Sequence, residues 1–227
     1  MTKVAIHQSQ YIPWPPYFRK IAQADVFVIL DKVQFQKNGV QNRNRIRNKE
    51  RDFWLTIPVT GQLNDLISDK KLSDSRWNKK HWNALQLAYA KAPFWHQFNQ
   101  GIENLFHQEY AVLGEVNDCF LRYLLDVLQI STKVFRLSEL ALDGTKSDLL
   151  LSICKHFGAT VYVSGLGGKA YLKEDTFRQS GIAIEYLESV SPVYSQFYGD
   201  FIQGLSILDM MFNVNLTEIN KYLGGKN

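Results

Sequence analysis

Apolar residues along this chain fall into two rhythms. Residues 4–6 form a short apolar opening run, and residues 26–30 a continuous run rich in β-branched side chains. Runs of that kind predict strands buried on both faces. Between them stand Pro13, Pro15 and Pro16, which exclude a regular helix or central strand. Phe18, Ile21 and Ala22 then repeat at helical spacing and predict a helix over 17–24. Strand, loop, helix and strand within the first thirty residues predict a βαβ unit.

The pattern then changes. Residues 31–51 are polar and irregular, with Asn38-Gly39 as a turn signal, and predict loop. Residues 53–59 predict a strand, stopped by Pro58 and Gly61. Three helices follow, over 77–91, 94–108 and 112–128; Leu113, Val116, Phe120, Leu124 and Val127 stripe the last. A second α/β stretch predicts strands at 133–137, 160–163 and 182–187. Its helices include one headed by Thr145, with Asp148 at N3, and a short one at 169–179. Phe201, Leu205, Leu208 and Phe212 mark a further helix, and 216–223 the last. The sum is one α/β domain over 1–227, with a mainly parallel, Rossmann-like or nucleotidyltransferase-like sheet and a helical insert at about 73–130.

Composition adds limits. With 45% hydrophobic residues in 227, the chain has material for a core, which excludes disorder as its main state. No apolar run approaches the ~18 residues a membrane helix needs. The start carries no secretory h-region, and Cys119 and Cys154 form no Cys-x-x-Cys pair, so a reduced, cytoplasmic protein with buried thiols is expected. The net charge of +4 hides an asymmetry: residues 1–51 hold ten Lys/Arg against three Asp/Glu, and residues 101–227 ten against fifteen. The basic excess peaks over 37–51, which suits an anionic small-molecule partner; a solvated basic loop is the alternative. The region is too short to favour nucleic acid.

Four constellations carry candidate chemistry. His7, Gln8, Gln10 and Tyr11, with Trp14 and Tyr17 around the prolines, occupy the loop leaving the first strand, where open α/β sheets bind ligands. His7 there is an acid, base or phosphate donor, or else a satisfied buried histidine. Asp31 ends the second strand and is followed by Gln34, Lys37, Asn42, Arg43 and Asn44, donors suited to phosphate or carboxylate. Gly165, Gly167 and Lys169 form a glycine turn after a strand. They match a relaxed dinucleotide pattern weakly and the P-loop not at all, so one phosphate-facing lysine is the stronger reading. Asp209, with Asn213, falls on an apolar helix face and needs a partner or a task. The five histidines are scattered, so no zinc site is expected.

His7-Gln-Ser-Gln-Tyr11-Ile-Pro13-Trp14, Tyr17-Phe18, Ala24-Asp25, Leu30-Asp31, Val33-Gln34-Phe35, Asn42-Arg43-Asn44 and Trp54-Leu55-Thr56 together resemble the WbqC-like protein family. So do Ser164-Gly165, Lys169, Tyr171-Leu172, Tyr194, Gln196, the run from Leu205 to Asp209, and Asn213. The family pattern has proline where Ser9 stands and glycine where Pro16 stands. The resemblance implies a role in bacterial surface-polysaccharide (O-antigen, lipopolysaccharide) or natural-product biosynthesis. The activity it implies is transfer of glycine or a similar amino acid to an amino sugar. On that reading His7 deprotonates the amine, Lys37, Arg43 and Lys169 hold phosphates, and Asp31 or Asp209 orients the amine or His7. The other substrate-contact candidates are Gln8, Gln10, Tyr11, Trp14, Tyr17, Gln34, Asn42, Asn44, Gly165, Tyr171 and Asn213. The first strand's loop is also similar, at fold level, to the phosphate-binding loop of nucleotidyltransferases, without the second histidine of their signature. Two further readings therefore stand: a nucleotidyltransferase or ligase using ATP with magnesium, and a sugar-nucleotide-binding module without turnover.

Overall fold

The computed structural model describes residues 1–62 and 64–224. In chain order its elements are β1 (Lys3–Gln8), α1 (Pro15–Ala22), β2 (Val26–Leu30), β3 (Arg43–Arg47), β4 (Asp52–Thr56), β5 (Val59–Thr60) and β6 (Lys71–Leu72). Then come α2 (Trp77–Tyr89), α3 (Trp95–Phe106), α4 (Leu113–Val127), β7 (Lys133–Arg136), α5 (Lys146–His156), β8 (Val161–Gly165), α6 (Glu174–Gln179), β9 (Ala183–Leu187), α7 (Ile207–Asn213) and α8 (Leu216–Leu223). Five strands make one parallel sheet in the order β7-β2-β1-β8-β9, an α/β architecture.

The apolar runs work as strands because side chains alternate across a sheet. Val4, Ile6, Val26, Val28 and Tyr162 pack on one face with Leu149, Leu150 and Ile153 of α5 and Phe177 of α6. Ala5, Phe27, Ile29, Val161 and Val163 face the other way, against Phe18 and Ile21 of α1 and the helices α2, α3, α4, α7 and α8. The chain runs outward from β1 through α1 to β2 and on to β7, then crosses back through α5 on the opposite face to β8 and through α6 to β9. Pro15 and Pro16 open α1, where a missing N–H has no intrahelical partner to lose.

Four expectations need correction. Residues 43–47 are not loop but β3, paired antiparallel with β4 from Arg43↔Thr56 to Arg47↔Asp52. Asn44 and Ile46 point inward, so the buried face carries an amide where the alternation rule looks for an apolar group. The strand expected over 53–59 ends at Thr56; beyond Pro58, β5 pairs with β6 instead. The helix expected over 169–179 is a 3-10 turn at Leu166–Ala170 followed by α6. The helix expected from Phe201 begins only at Ile207, because the preceding segment is tied to other elements. Arg45 Nη2 donates to Gln203 O at 2.9 Å, Ser206 N to Arg45 O at 2.8 Å, and Gly204 sits at φ +75°. Ser206 Oγ then caps α7 by accepting from Leu208 N.

Cys119 and Cys154 are free thiols, the second buried. Among the described residues no helix is long and apolar enough to cross a membrane, and no group of His, Cys, Asp and Glu is placed to hold a metal.

Candidate functional site

Counted in sheet order the topology reverses at β1, and β1 and β8 part at their carboxyl ends. Pairing of β1 with β2 runs to Gln8↔Leu30, whereas pairing with β8 stops at Ala5↔Val163. Ligands of open α/β sheets gather at such a switch. Two hollows open at the carboxyl ends of the strands, and a third lies beside β3 and β4.

The first is a crevice of about 200 Å3 between the ends of β1 and β2 and the first half of α4. Gln10, Tyr17, Asp31, Asn117, Asp118 and Arg136 line it, with Ser9, Glu115 and Ser138. Asp31 is 5% exposed, and its Oδ1 accepts from Ser138 N at 2.9 Å and Lys32 N at 3.0 Å, so two backbone donors fix the carboxylate. Asn117 Nδ2 donates to Ser9 Oγ and to Gln41 O, each at 2.9 Å. Turning that amide over would set two carbonyl oxygens together, so Oδ1 is the atom left over. Asn117 Oδ1, Asp118 Oδ1 and Gln10 Oε1 are all buried without a hydrogen-bond partner among the described residues. Each such acceptor costs roughly 1–3 kcal/mol if it stays unmatched.

The second hollow is the split between β1 and β8, about 50 Å3, lined by His7, Trp14, Tyr17, Lys20, Gly165 and Ser189 among others. His7 Nδ1 lies 3.3 Å from Gln8 O and 3.4 Å from Gln10 Nε2. Only one of these contacts bonds at a time, because one needs a hydrogen on Nδ1 and the other a lone pair. Burial, and then the charge of Lys20, push the His7 imidazole down to about 3, so it is neutral at neutral pH and a weak base.

The third is an open cleft of about 430 Å3 lined by Lys37, Asn42, Arg43 and Lys70. Arg43 lies 4.2 Å over the ring of Trp54, and its Nη2 donates to Asn38 O. Arg43 Nε and Asn42 Oδ1 are buried here without a hydrogen-bond partner among the described residues.

The remaining candidates lie elsewhere. Tyr11 is fully buried and its hydroxyl meets His81 Nδ1 at 2.9 Å. Asn44 Nδ2 donates to Ile12 O at 2.8 Å, and Ser206 Oγ donates to the same carbonyl at 2.8 Å. Together they hold Ile12 at φ +35°, a costly conformation for a β-branched residue, and so set the loop that presents Gln10. Asp209 is fully buried, bonded to Tyr89, Tyr194 and Gln196, while Asn213 donates to Asp209 O and accepts from Phe197 N. Gln8 Oε1 accepts from Gln41 Nε2, and exposed Gln34 donates to Asn64. Lys169 stands 5.0 Å over the Tyr186 ring, and Tyr171 is half exposed. Lys20, Asn117, Asp118 and Arg136 were not among the candidates read from sequence. Asn117 had a legible signal: it lies four residues after Leu113 and four before Leu121, a polar group inside an apolar stripe. Asp118 and Arg136 had none.

Comparison with other proteins places the chain. An uncharacterised protein of Mycobacterium tuberculosis, Rv1507c, is 34% identical over 218 residues, covering 94% of this chain and 94% of that one. Among solved structures, a zinc-bound variant of AdcAII from Streptococcus pneumoniae aligns over 98% of this chain and 99% of that one. At 7% identity and a TM-score of 0.22 it carries no argument. A family model matches residues 8–221, nearly the whole length, and the chain belongs to the WbqC-like protein family.

Proposed function

We propose that the protein is an amide-forming transferase that moves an amino acid or related acyl group onto an amine, with an amino sugar of bacterial surface polysaccharide as the acceptor class. The observation that carries this reading is the set of unmatched acceptors around the crevice. Asn117 Oδ1 and Asp118 Oδ1 both require a donor, whichever way the Gln10 amide stands. Asp31 and Glu115 add carboxylates to the same walls. An ammonium or amine flanked by hydroxyl groups supplies donors in that density; a phosphate supplies none. In this reading the acceptor amine loses a proton to Asp31, its nitrogen attacks the activated carbonyl carbon, the C–N bond forms and the bond to the leaving group breaks. His7, 3.4 Å from Gln10 Nε2, positions Gln10 from behind. The Lys37–Arg43 cleft suits the anionic part of a donor.

The test is turnover by mass spectrometry with amino-sugar nucleotides and either activated glycine or glycine with ATP. Asp31→Asn keeps an acceptor for the Ser138 and Lys32 N–H groups but loses the base. It should slow turnover by at least about a hundredfold, against roughly tenfold or less for His7→Gln. Equal turnover of wild type and Asp31→Asn would remove Asp31 from the mechanism.

A further inference from the structure

The amine reading leaves the split between β1 and β8 without a task. One residue past the last β1–β8 pair, the Ile6 carbonyl accepts from Lys20 Nζ at 2.7 Å. Lys20 is 8% exposed. No ion pair among the described residues includes it. A buried ammonium with one carbonyl as its hydrogen-bond acceptor, and only the Cys154 thiol and the His7 ring as further polar neighbours, is an expensive arrangement unless an anion visits it. Burial holds it down to about 7, half-charged near neutrality.

The glycine at the mouth of the split points the same way. Gly165 lines it and has φ −79° and ψ 161°, angles open to any residue. A Cβ at Gly165 would meet only Ser189 Oγ, at 4.0 Å. Neither the path of the chain nor its packing calls for glycine at this place. What glycine provides is bare backbone beside the hollow, close enough for an oxyanion to approach. Lys169, expected to face a phosphate, lies instead on the Tyr186 ring.

We infer that the split is a phosphate subsite, sized for one phosphate group, with Lys20 as its counter-charge and Gly165 leaving it room. Exposed Glu188 and half-buried Arg19 also line the hollow, one charge of each sign, with Arg19 held 5.6 Å over the Tyr222 ring. The subsite does not depend on the amine crevice. The phosphate group could be free or the terminus of a nucleotide, and the probes separate these sources.

The experiment is calorimetric titration of the full chain with inorganic phosphate, UMP and uridine. Saturable binding of phosphate or UMP, with uridine silent, is expected. Tighter UMP than phosphate assigns the group to a nucleotide; equal affinities assign it to free phosphate; either supports the subsite. Lys20→Met and Gly165→Val, the second placing methyl groups in open space and keeping the fold, should each weaken binding at least tenfold. Lys133→Met, on the edge strand β7, should bind as wild type. The inference is overturned by three results: no saturable binding, unchanged binding in Gly165→Val, or loss in Arg43→Ala alone, which would put the phosphate in the cleft.

Discussion

Asp209→Ala is expected to destabilise the fold by about 3–5 kcal/mol, the cost of breaking a buried hydrogen-bonded charge from one side. The Asp209 carboxylate accepts from Tyr89 Oη at 2.8 Å through Oδ1, and from Tyr194 Oη at 2.7 Å and Gln196 Nε2 at 2.9 Å through Oδ2. Arg47, also buried, donates to Gln196 Oε1 at 2.5 Å and to Asp200 O at 2.7 Å. Burial raises the Asp209 carboxyl above the ordinary carboxylate value, and the tyrosine hydroxyls and the Arg47 charge work against that rise. Alanine would leave two buried hydroxyls and an amide short of an acceptor and would remove the negative charge that faces Arg47. The damage would travel: the same network joins α2, α7 and β3, and β3 carries Asn44, which holds the Ile12 carbonyl and with it the loop of Gln10. Urea unfolding measures the loss. Asp209→Asn, which keeps one oxygen, should recover part of it, and a loss below about 1 kcal/mol for alanine would show that the network is not a keystone.

Stability should also fall steeply as pH drops from 6.5 toward 4. His81, 6% exposed, meets Tyr11 Oη through Nδ1 and Thr56 O, at 3.2 Å, through Nε2. Burial pushes it down to about 4, and His7 is held at about 3. The unfolded chain titrates both near 6.5. Between these values the unfolded chain binds protons the folded chain refuses, so stability is full above pH 6.5 and is lost as pH falls through the folded values. At about 1.4 kcal/mol per pH unit, His81 alone accounts for a loss on the order of 3 kcal/mol. His7 keeps some contact with solvent and adds less than its full shift implies. Asp209, with its raised value, runs the opposite way in the acid part of the window and trims the slope. His81→Gln, which can still accept from Tyr11 and donate to Thr56, should flatten the acid limb measured by urea midpoints. An unaltered limb in that variant would acquit His81.

The parallel sheet was legible because its strands are buried on both faces. Val26–Leu30 is apolar at every position, and no other element suits a run that short. The turn of fold at β1 was legible too, in prolines that stop one element and begin the next. β3 was not, since Arg-Asn-Arg-Ile-Arg shows one apolar side chain, and its strand is specified by partners far along the chain: the Ile12 carbonyl, the Tyr89 hydroxyl and the Gln196 amide. For the site, Gln10 and Asp31 could be placed from the ends of their strands. Asp118 and Arg136 could not, because they reach the crevice from α4 and β7, brought there by packing rather than by any local signal. Asp209 was singled out correctly as a carboxylate needing partners, but Leu205, used to place it on a helix, lies outside α7.

The most direct measurement of the amine site is a titration of glucosamine against glucose into uniformly 15N-labelled protein, following the side-chain amides of Asn117 and Gln10. Glucosamine should move both signals saturably, glucose should move them much less, and Asp31→Asn should weaken the glucosamine response at least tenfold with the fold intact. Equal responses to the two sugars, or a glucosamine response that leaves Asn117 still, would contradict an amine in the crevice.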